Sequence, residues 1–186
     1  MRIISGKFKS KRLQAPKKLP VRPTTDMAKE ALFNILNNQF YFHEITVLDL
    51  FSGTGNISYE FASRGTESII SVDENYGCIK YINEVANELK CDIQTVKSDV
   101  YKYLENCNSK FDVIFADPPY EFTNEQFDKI VAFVFEKDLL NEDGLLIIEH
   151  SKHSKFGDQS KLSFQKKYGG NMFSFFEHPT SEDEIT

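Results

Sequence analysis

From residue 45 to residue 149, short apolar runs alternate with segments of helical periodicity. Residues 45–50, 68–72, 92–96, 111–115 and 145–149 read as strands. Residues 57–63, 76–89, 100–105 and 123–137 between them read as helices. Tyr76, Ile79, Ile82, Ala86 and Leu89 form one apolar side of the second helix, and Phe127, Ile130, Val131 and Val134 one side of the last. Strands separated by helices pair in parallel through crossovers. Runs such as FDVIFA and GLLIIE suit strands covered on both faces. The ending differs: 161–168 and 171–177 are strand-like segments joined at Gly169-Gly170, which predicts a hairpin and an antiparallel edge. A helix is also predicted over 26–38, with Met27, Ala28, Ala31, Leu32, Ile35 and Leu36 on one face, and Thr24, Thr25 and Asp26 placed to cap it. The fold class is α/β.

The 186 residues suit one domain, and seventeen Phe and eight Tyr provide large apolar bodies for its core. No apolar run reaches the about 18 residues needed to span a bilayer. The lysine-rich N-terminus does not read as a secretory signal. Cys78, Cys91 and Cys107 lack metal-site spacing, and an odd number argues for packing residues in a reducing, cytoplasmic setting. The net charge of −6 hides a split. Arg2, Lys7, Lys9, Lys11, Arg12, Lys17, Lys18 and Arg22 stand in a leading segment with no acid, so the rest of the chain carries −14. Short apolar islands there (Ile3-Ile4, Phe8, Leu13), punctuated by Gly6 and Pro16, predict a basic hairpin or extended arm able to meet an anionic surface.

The run ITVLDLFSGTGNIS reads as strand, glycine loop and helix. In an open α/β sheet, ligands bind at the carboxyl ends of the strands. Gly53 and Gly55 permit close approach, and Asp73, 20 residues after Gly53, falls at the next strand end. A carboxylate there can accept hydrogen bonds from both ribose hydroxyls of an adenosine-containing ligand. The dinucleotide fingerprint fails at its third glycine, where Ser58 stands. A tight turn with no ligand is the competing reading.

DPPY, residues 117–120, follows the fourth strand directly. Two prolines stiffen the backbone and remove two amide donors. The Asp117 carboxylate and Pro118 carbonyl are then fixed acceptors beside the Tyr120 ring. They suit a planar group bearing an NH2, whose hydrogens two acceptors can hold while the nitrogen lone pair is aimed at an electrophile. Stacking on the ring is worth roughly 1–3 kcal/mol. Adenine N6, cytosine N4 and guanine N2, in RNA or DNA, all satisfy this chemistry, and a rigid Pro-Pro turn is the bland alternative. A nicotinamide-dependent oxidoreductase would share the glycine loop without needing DPPY, and a noncatalytic RNA-binding protein would need only the arm. His150 and His153, in EHSKH, lack converging ligand partners and read as surface histidines rather than metal ligands.

FSGTG followed by DPPY resembles the motif pair of S-adenosylmethionine-dependent amino-methyltransferases. The order GKFKSKRL, RPTTDMAKEALFNIL, LDLFSGTGNISYEFASRG, VDEN, SDV, DPPY and YGGNMFSFFE is similar to that of the bacterial small-subunit (16S) ribosomal RNA guanine-N2 methyltransferases, over nearly the whole chain. The resemblance implies a three-layer Rossmann-like fold with a seven-stranded, mostly parallel sheet and an antiparallel final strand. It divides the chain into an RNA-contacting basic arm over 1–25 and a methyltransferase domain over 26–186. It implies that Asp49, Phe51, Ser52, Gly53, Thr54, Gly55 and Asp73 hold S-adenosylmethionine, with Asp99 and Val100 at its adenine end. Asp117, Pro118, Pro119 and Tyr120 would hold the guanine, and Lys7, Lys9, Lys11, Arg12, Arg22, Thr24 and Thr25 are candidate contacts to ribosomal RNA or an assembling small subunit. A cytoplasmic monomer without metal or membrane partner is expected. Asn56, where relatives commonly carry a small apolar residue, is assigned no role.

Overall fold

The computed structural model describes residues 1–19, 24–157 and 159–179. Arg22 and the terminal SEDEIT lie outside the described residues. Twelve elements follow in order: α1 (Asp26–Leu36), β1 (Thr46–Leu50), α2 (Asn56–Arg64), β2 (Ser68–Asp73), α3 (Tyr76–Leu89), β3 (Gln94–Lys97), α4 (Val100–Asn106), β4 (Phe111–Ala116), α5 (Asn124–Glu136), β5 (Leu140–Ser151), β6 (Leu162–Tyr168) and β7 (Asn171–Phe176). The strands form one sheet in the order β3-β2-β1-β4-β5-β7-β6. The first five are parallel, and β7 runs antiparallel to both β5 and β6. This is the seven-stranded Rossmann-like arrangement expected.

Alternation of side chains across the sheet makes two apolar layers. Val47, Val113, Leu145 and Ile147 pack with α1, α2 and α3 on one face. Leu48, Ile114, Leu146 and Ile148 pack with α4 and α5 on the other. Burying both faces explains why the strands carry no polar alternation. The helix ends follow local chemistry: Thr25 caps α1 through Ala28 N–H, Asp99 caps α4, and Thr123 and Gln126 form a reciprocal capping box on α5.

β5 begins five residues before the apolar run that predicts it. Its polar start is held by contacts invisible in the pattern: Phe111 N–H donates to Leu139 O at 2.9 Å, and the Asn141 amide to Asp112 Oδ1 at 2.7 Å.

The basic segment turns back on itself through one antiparallel bridge, Arg2 with Arg12. It is also rooted in the body. Ile3 and Leu13 belong to the same core as α1 and α2. Gly6 sits at φ +79, where an added Cβ would fall 1.8 Å from Ser63 O, so only glycine lets the segment approach α2 this closely. Glu60 of α2 accepts Ile4 N–H (2.8 Å) and Ser5 N–H (3.0 Å). Its charge is met by Arg64 at 2.9 Å and by Lys29 at 3.4 Å. Lys29 is fully buried, and its ammonium also donates to Arg2 O (2.7 Å) and Asn56 Oδ1 (2.9 Å).

Candidate active site

A cavity of about 930 Å³ opens at the carboxyl ends of β1, β2, β4 and β5. It lies where the strand order reverses between β1 and β4, the position expected of a ligand site in such sheets. Its floor is the loop after β1. Ser52 N–H donates to Val72 O at 3.0 Å, which ties the loop to β2. Gly53 N–H donates to Asp73 Oδ2 and Asn75 N–H to Asp73 Oδ1, both at 2.8 Å. Each Asp73 oxygen therefore has one backbone donor and keeps a second acceptor direction.

The two glycines of the loop differ. Gly53 lines the cavity, whereas Gly55 does not. Gly55 precedes α2 at φ +78, and a Cβ on it would lie 2.8 Å from the Tyr59 ring. The second glycine lets the chain enter α2 against the Tyr59 ring. Ser58, at the place of the missing third glycine, donates its hydroxyl to Asp49 Oδ2 at 2.5 Å and meets the Ser71 hydroxyl at 2.7 Å.

DPPY forms the opposite wall. Pro118 is buried, while the Tyr120 ring stands 73% exposed at the mouth. Asp117 is half-buried, facing the cavity, and its carboxyl is held well above the usual carboxylate range, by burial first and then by the charges of Glu149 and Asp49. Burial likewise raises Asp49 to about 7, against the opposing hydrogen bonds from Ser58, and raises Asp73.

Most of the residues singled out from the sequence meet here. Asp49, Phe51, Ser52, Gly53, Thr54, Asp73, Asp99, Val100, Asp117, Pro118, Pro119, Tyr120, Thr24 and Thr25 all line the cavity. The described basic residues of the arm do not. Lys11 pairs with Glu88 of α3 at 2.6 Å, and Arg12 borders a separate small hollow with Tyr81 and Glu84. Lys7 and Lys9 are also absent from the cavity lining. Leu19 joins Thr24 and Thr25 in the wall.

Several wall residues carried no signal in the chain. Glu149, near the end of β5, is 4% exposed and follows the register that pairs Ala116 with Ile148, so it stands beside Asp117. The Thr24 hydroxyl donates to its Oε2 at 2.8 Å and the Asn171 amide to its Oε1 at 2.5 Å. Asn56 holds Thr24 in turn, donating to its carbonyl at 3.1 Å. Asn56 thus connects buried Lys29 to the cavity wall, a part the sequence did not reveal. Tyr168, Gly169, Gly170 and Asn171 bring the turn between β6 and β7 to the rim. Phe51, Tyr101 and Phe122 make an aromatic side, with Phe51 and Phe122 edge to face at 5.3 Å and Tyr101 stacked on Phe122 at 6.4 Å. Phe51 belongs to the glycine loop already singled out, and the aromatics just after SDV and DPPY are the other sequence hint of that side.

One expectation is overturned. His150 is not at the surface: it is 7% exposed, packed between Phe127 and Phe156, with Nε2 2.6 Å from the Ser174 hydroxyl. Strand alternation turns it onto the α5 face, away from Glu149. Among the described residues no group of His, Cys, Asp or Glu could hold a metal ion. Nor, among them, is any helix long and apolar enough to cross a membrane.

The chain is similar to known proteins over most of its length. A Bacillus subtilis protein named "Putative rRNA methyltransferase YlbH" is 34% identical over 157 residues, covering 82% of this chain and 83% of the relative. The "Ribosomal RNA small subunit methyltransferase D" of Haemophilus influenzae is 30% identical over 165 residues, covering 82% and 79%. Among solved structures, a hypothetical protein of Thermus thermophilus superposes with a TM-score of 0.82 at 24% identity, covering 96% of this chain and 99% of that one, a likeness of fold. The match to the family model "Conserved hypothetical protein 95" runs from residue 1 to residue 177, and the chain belongs to that family.

Proposed function

We propose that this protein is an S-adenosylmethionine-dependent methyltransferase acting on the exocyclic N2 of a guanine in small-subunit (16S) ribosomal RNA. The observation that carries the reading is the charge of the cavity. Asp49, Asp73, Glu74, Asp99, Asp117, Glu121 and Glu149 line it, and among the described residues no lysine or arginine does. A dinucleotide would bring a pyrophosphate into that field, where no described lysine or arginine meets it. A zwitterionic, sulfonium-bearing ligand without phosphate fits it. The volume, at the upper end of the range for small-molecule sites, leaves room for a nucleoside cofactor and a base together. The names of the ribosomal RNA methyltransferases among the relatives support RNA as the substrate.

S-adenosylmethionine supplies a methyl group activated on a sulfonium. The chain supplies position. Asp73 takes the ribose hydroxyls with the acceptor directions left by Gly53 and Asn75. Asp99 caps α4 with one carboxylate oxygen, at 2.9 Å from Lys102 N–H, and faces the cavity beside Val100 at the adenine end. Asp117 accepts a hydrogen from the target amine and orients its lone pair. A carboxyl held above its usual range is a better proton acceptor, so Asp117 also takes the proton released on transfer, directly or through water. The target base leaves its stack to reach this wall, at a cost of a few kcal/mol. Phosphate contacts from residues 1–25, the RNA-contacting element of this reading, offset part of that cost.

The neighbouring carboxylates Asp117 and Glu149 favour guanine. The amine of guanine stands next to a ring N–H, so its edge presents donors side by side. The amines of adenine and cytosine stand next to a ring nitrogen that only accepts, which a second carboxylate repels. Thr24 holds one oxygen of Glu149 and Asn171 the other, which fixes this carboxyl at the wall beside Asp117.

Three measurements test the reading. S-adenosylmethionine should raise the thermal midpoint and NADH should not. Asp117→Ala should keep that response and lose methyl transfer by at least about a hundredfold, the scale of a lost transition-state contact. Transfer undiminished in Asp117→Ala rejects the assignment of the acceptor wall. In an RNA whose target guanine is replaced by 2-aminopurine, which keeps the amine but loses the ring N–H, transfer should fall sharply, and an equal rate rejects the guanine-edge reading.

A further inference from the structure

We infer that the C-terminal hairpin β6–β7, together with the loop after β5, forms a second binding surface for the RNA phosphate backbone, opposite the N-terminal arm. The inference rests on the function proposed above. Residues 151–170 carry Lys152, Lys155, Lys161, Lys166 and Lys167 against a single acid, in a chain whose net charge is −6. Lys152, Lys155, Lys166 and Lys167 are exposed. Among the described residues, no ion pair joins any of the four to a carboxylate. Asp128, the acid of α5 that faces this loop, accepts instead from Gly157 N–H at 2.9 Å.

Strand register places Lys166 on the cavity side of the sheet and Lys167 beside it on the opposite face, next to the turn at the rim. Lys166 pairs with Phe173 and Phe173 with Glu149, while Lys167 pairs with Met172 and Met172 with His150. Lys166 is therefore on the same rung as the wall residue Glu149, two strand spacings away, about 10 Å. The next rung is Tyr168, Asn171 and Ser151, and Lys152 follows it. Tyr168 to Asn171 is the turn that lines the rim. Lys155 is fixed near the start of α5, where its N–H donates to Asn124 Oδ1 at 3.0 Å. Across the mouth, the wall residue Leu19 follows Lys17 and Lys18 of the arm.

The cavity itself repels phosphate. A base that enters it must leave its flanking phosphates outside, and the rim offers cations on both sides to receive them. Lysines on an edge strand also have a plainer use, since charge there prevents pairing with another sheet. Charge reversal separates the two roles, because glutamate guards an edge as lysine does but repels phosphate.

The test is binding of the full chain to an unmodified transcript of small-subunit ribosomal RNA across a potassium chloride series. In Lys166→Ala/Lys167→Ala the slope of log affinity against log salt should shrink by about 1.5, from roughly 0.7–0.9 per lost contact. Lys166→Glu/Lys167→Glu should weaken binding at least tenfold. The thermal response to S-adenosylmethionine, unchanged in both, shows that the variants are folded. Unchanged slope and affinity in both variants overturn the second surface and leave edge protection as the lysines' role. Absence of salt-dependent RNA binding in the unaltered protein would instead overturn the function proposed above, and this surface with it.

Discussion

Asp49→Asn should stabilise the ligand-free protein at neutral pH and weaken it as an enzyme. Asp49 is 2% exposed, and burial raises its carboxyl from an ordinary 3.8 to about 7. The folded chain therefore holds a proton that the unfolded chain releases between about pH 4 and pH 7. Stability is complete below that window and is lost as pH rises through it. At about 1.4 kcal/mol per pH unit, the loss is about 4 kcal/mol by pH 8. The substituted amide carries no charge to desolvate, and its carbonyl can still accept from Ser58. Urea unfolding should show the variant about 2–4 kcal/mol more stable than the unaltered protein near pH 8, with the gap closing near pH 4. Asp117 and Asp73 are raised by burial too, so the variant keeps a reduced pH slope of the same sign. The thermal response to S-adenosylmethionine should shrink, because Asp49 is among the residues proposed to hold it. A variant less stable than the unaltered protein at pH 8, or a gap independent of pH, would refute the reasoning.

Other substitutions probe separate parts. Gly55→Ala forces a left-handed residue against the Tyr59 ring and should cost about 1–3 kcal/mol, read from the urea midpoint. Lys29→Met removes the donor to Arg2 O and Asn56 but leaves Glu60 with Arg64 and two N–H groups, so a loss of about 2–4 kcal/mol is expected, with faster proteolysis of the arm. Asp73→Ala should lower S-adenosylmethionine affinity at least tenfold by calorimetry, about 1.4 kcal/mol, while the fold persists.

The sheet was legible because burial on both faces writes itself into β1, β4 and β5 as unbroken apolar runs. α3 matched its expected bounds because its apolar side repeats cleanly over fourteen residues. The polar start of β5 was not legible, since Asn141 and Phe111 hold it through bonds to residues distant in the chain. The same limit governs the site. Asp73 closes β2 and Asp117 follows β4, and both could be placed by counting. Glu149 also lies near a strand end, but only the antiparallel return of β7 brings Asn171 to it, and only the packing of α1 brings Thr24. Asn56 gives no local sign that it spans Lys29 and Thr24. His150 looked exposed because polar neighbours surround it in sequence, whereas strand alternation and the Phe127 and Phe156 rings bury it.

Transfer to guanine N2 is tested most directly by mass mapping of methylated nucleosides in small-subunit ribosomal RNA. The comparison is between cells with the gene, cells without it, and cells carrying only Asp117→Ala. One N2-methylguanine should be present in the first and missing from the other two. An identical pattern of guanine-N2 methylation in all three would contradict the assignment.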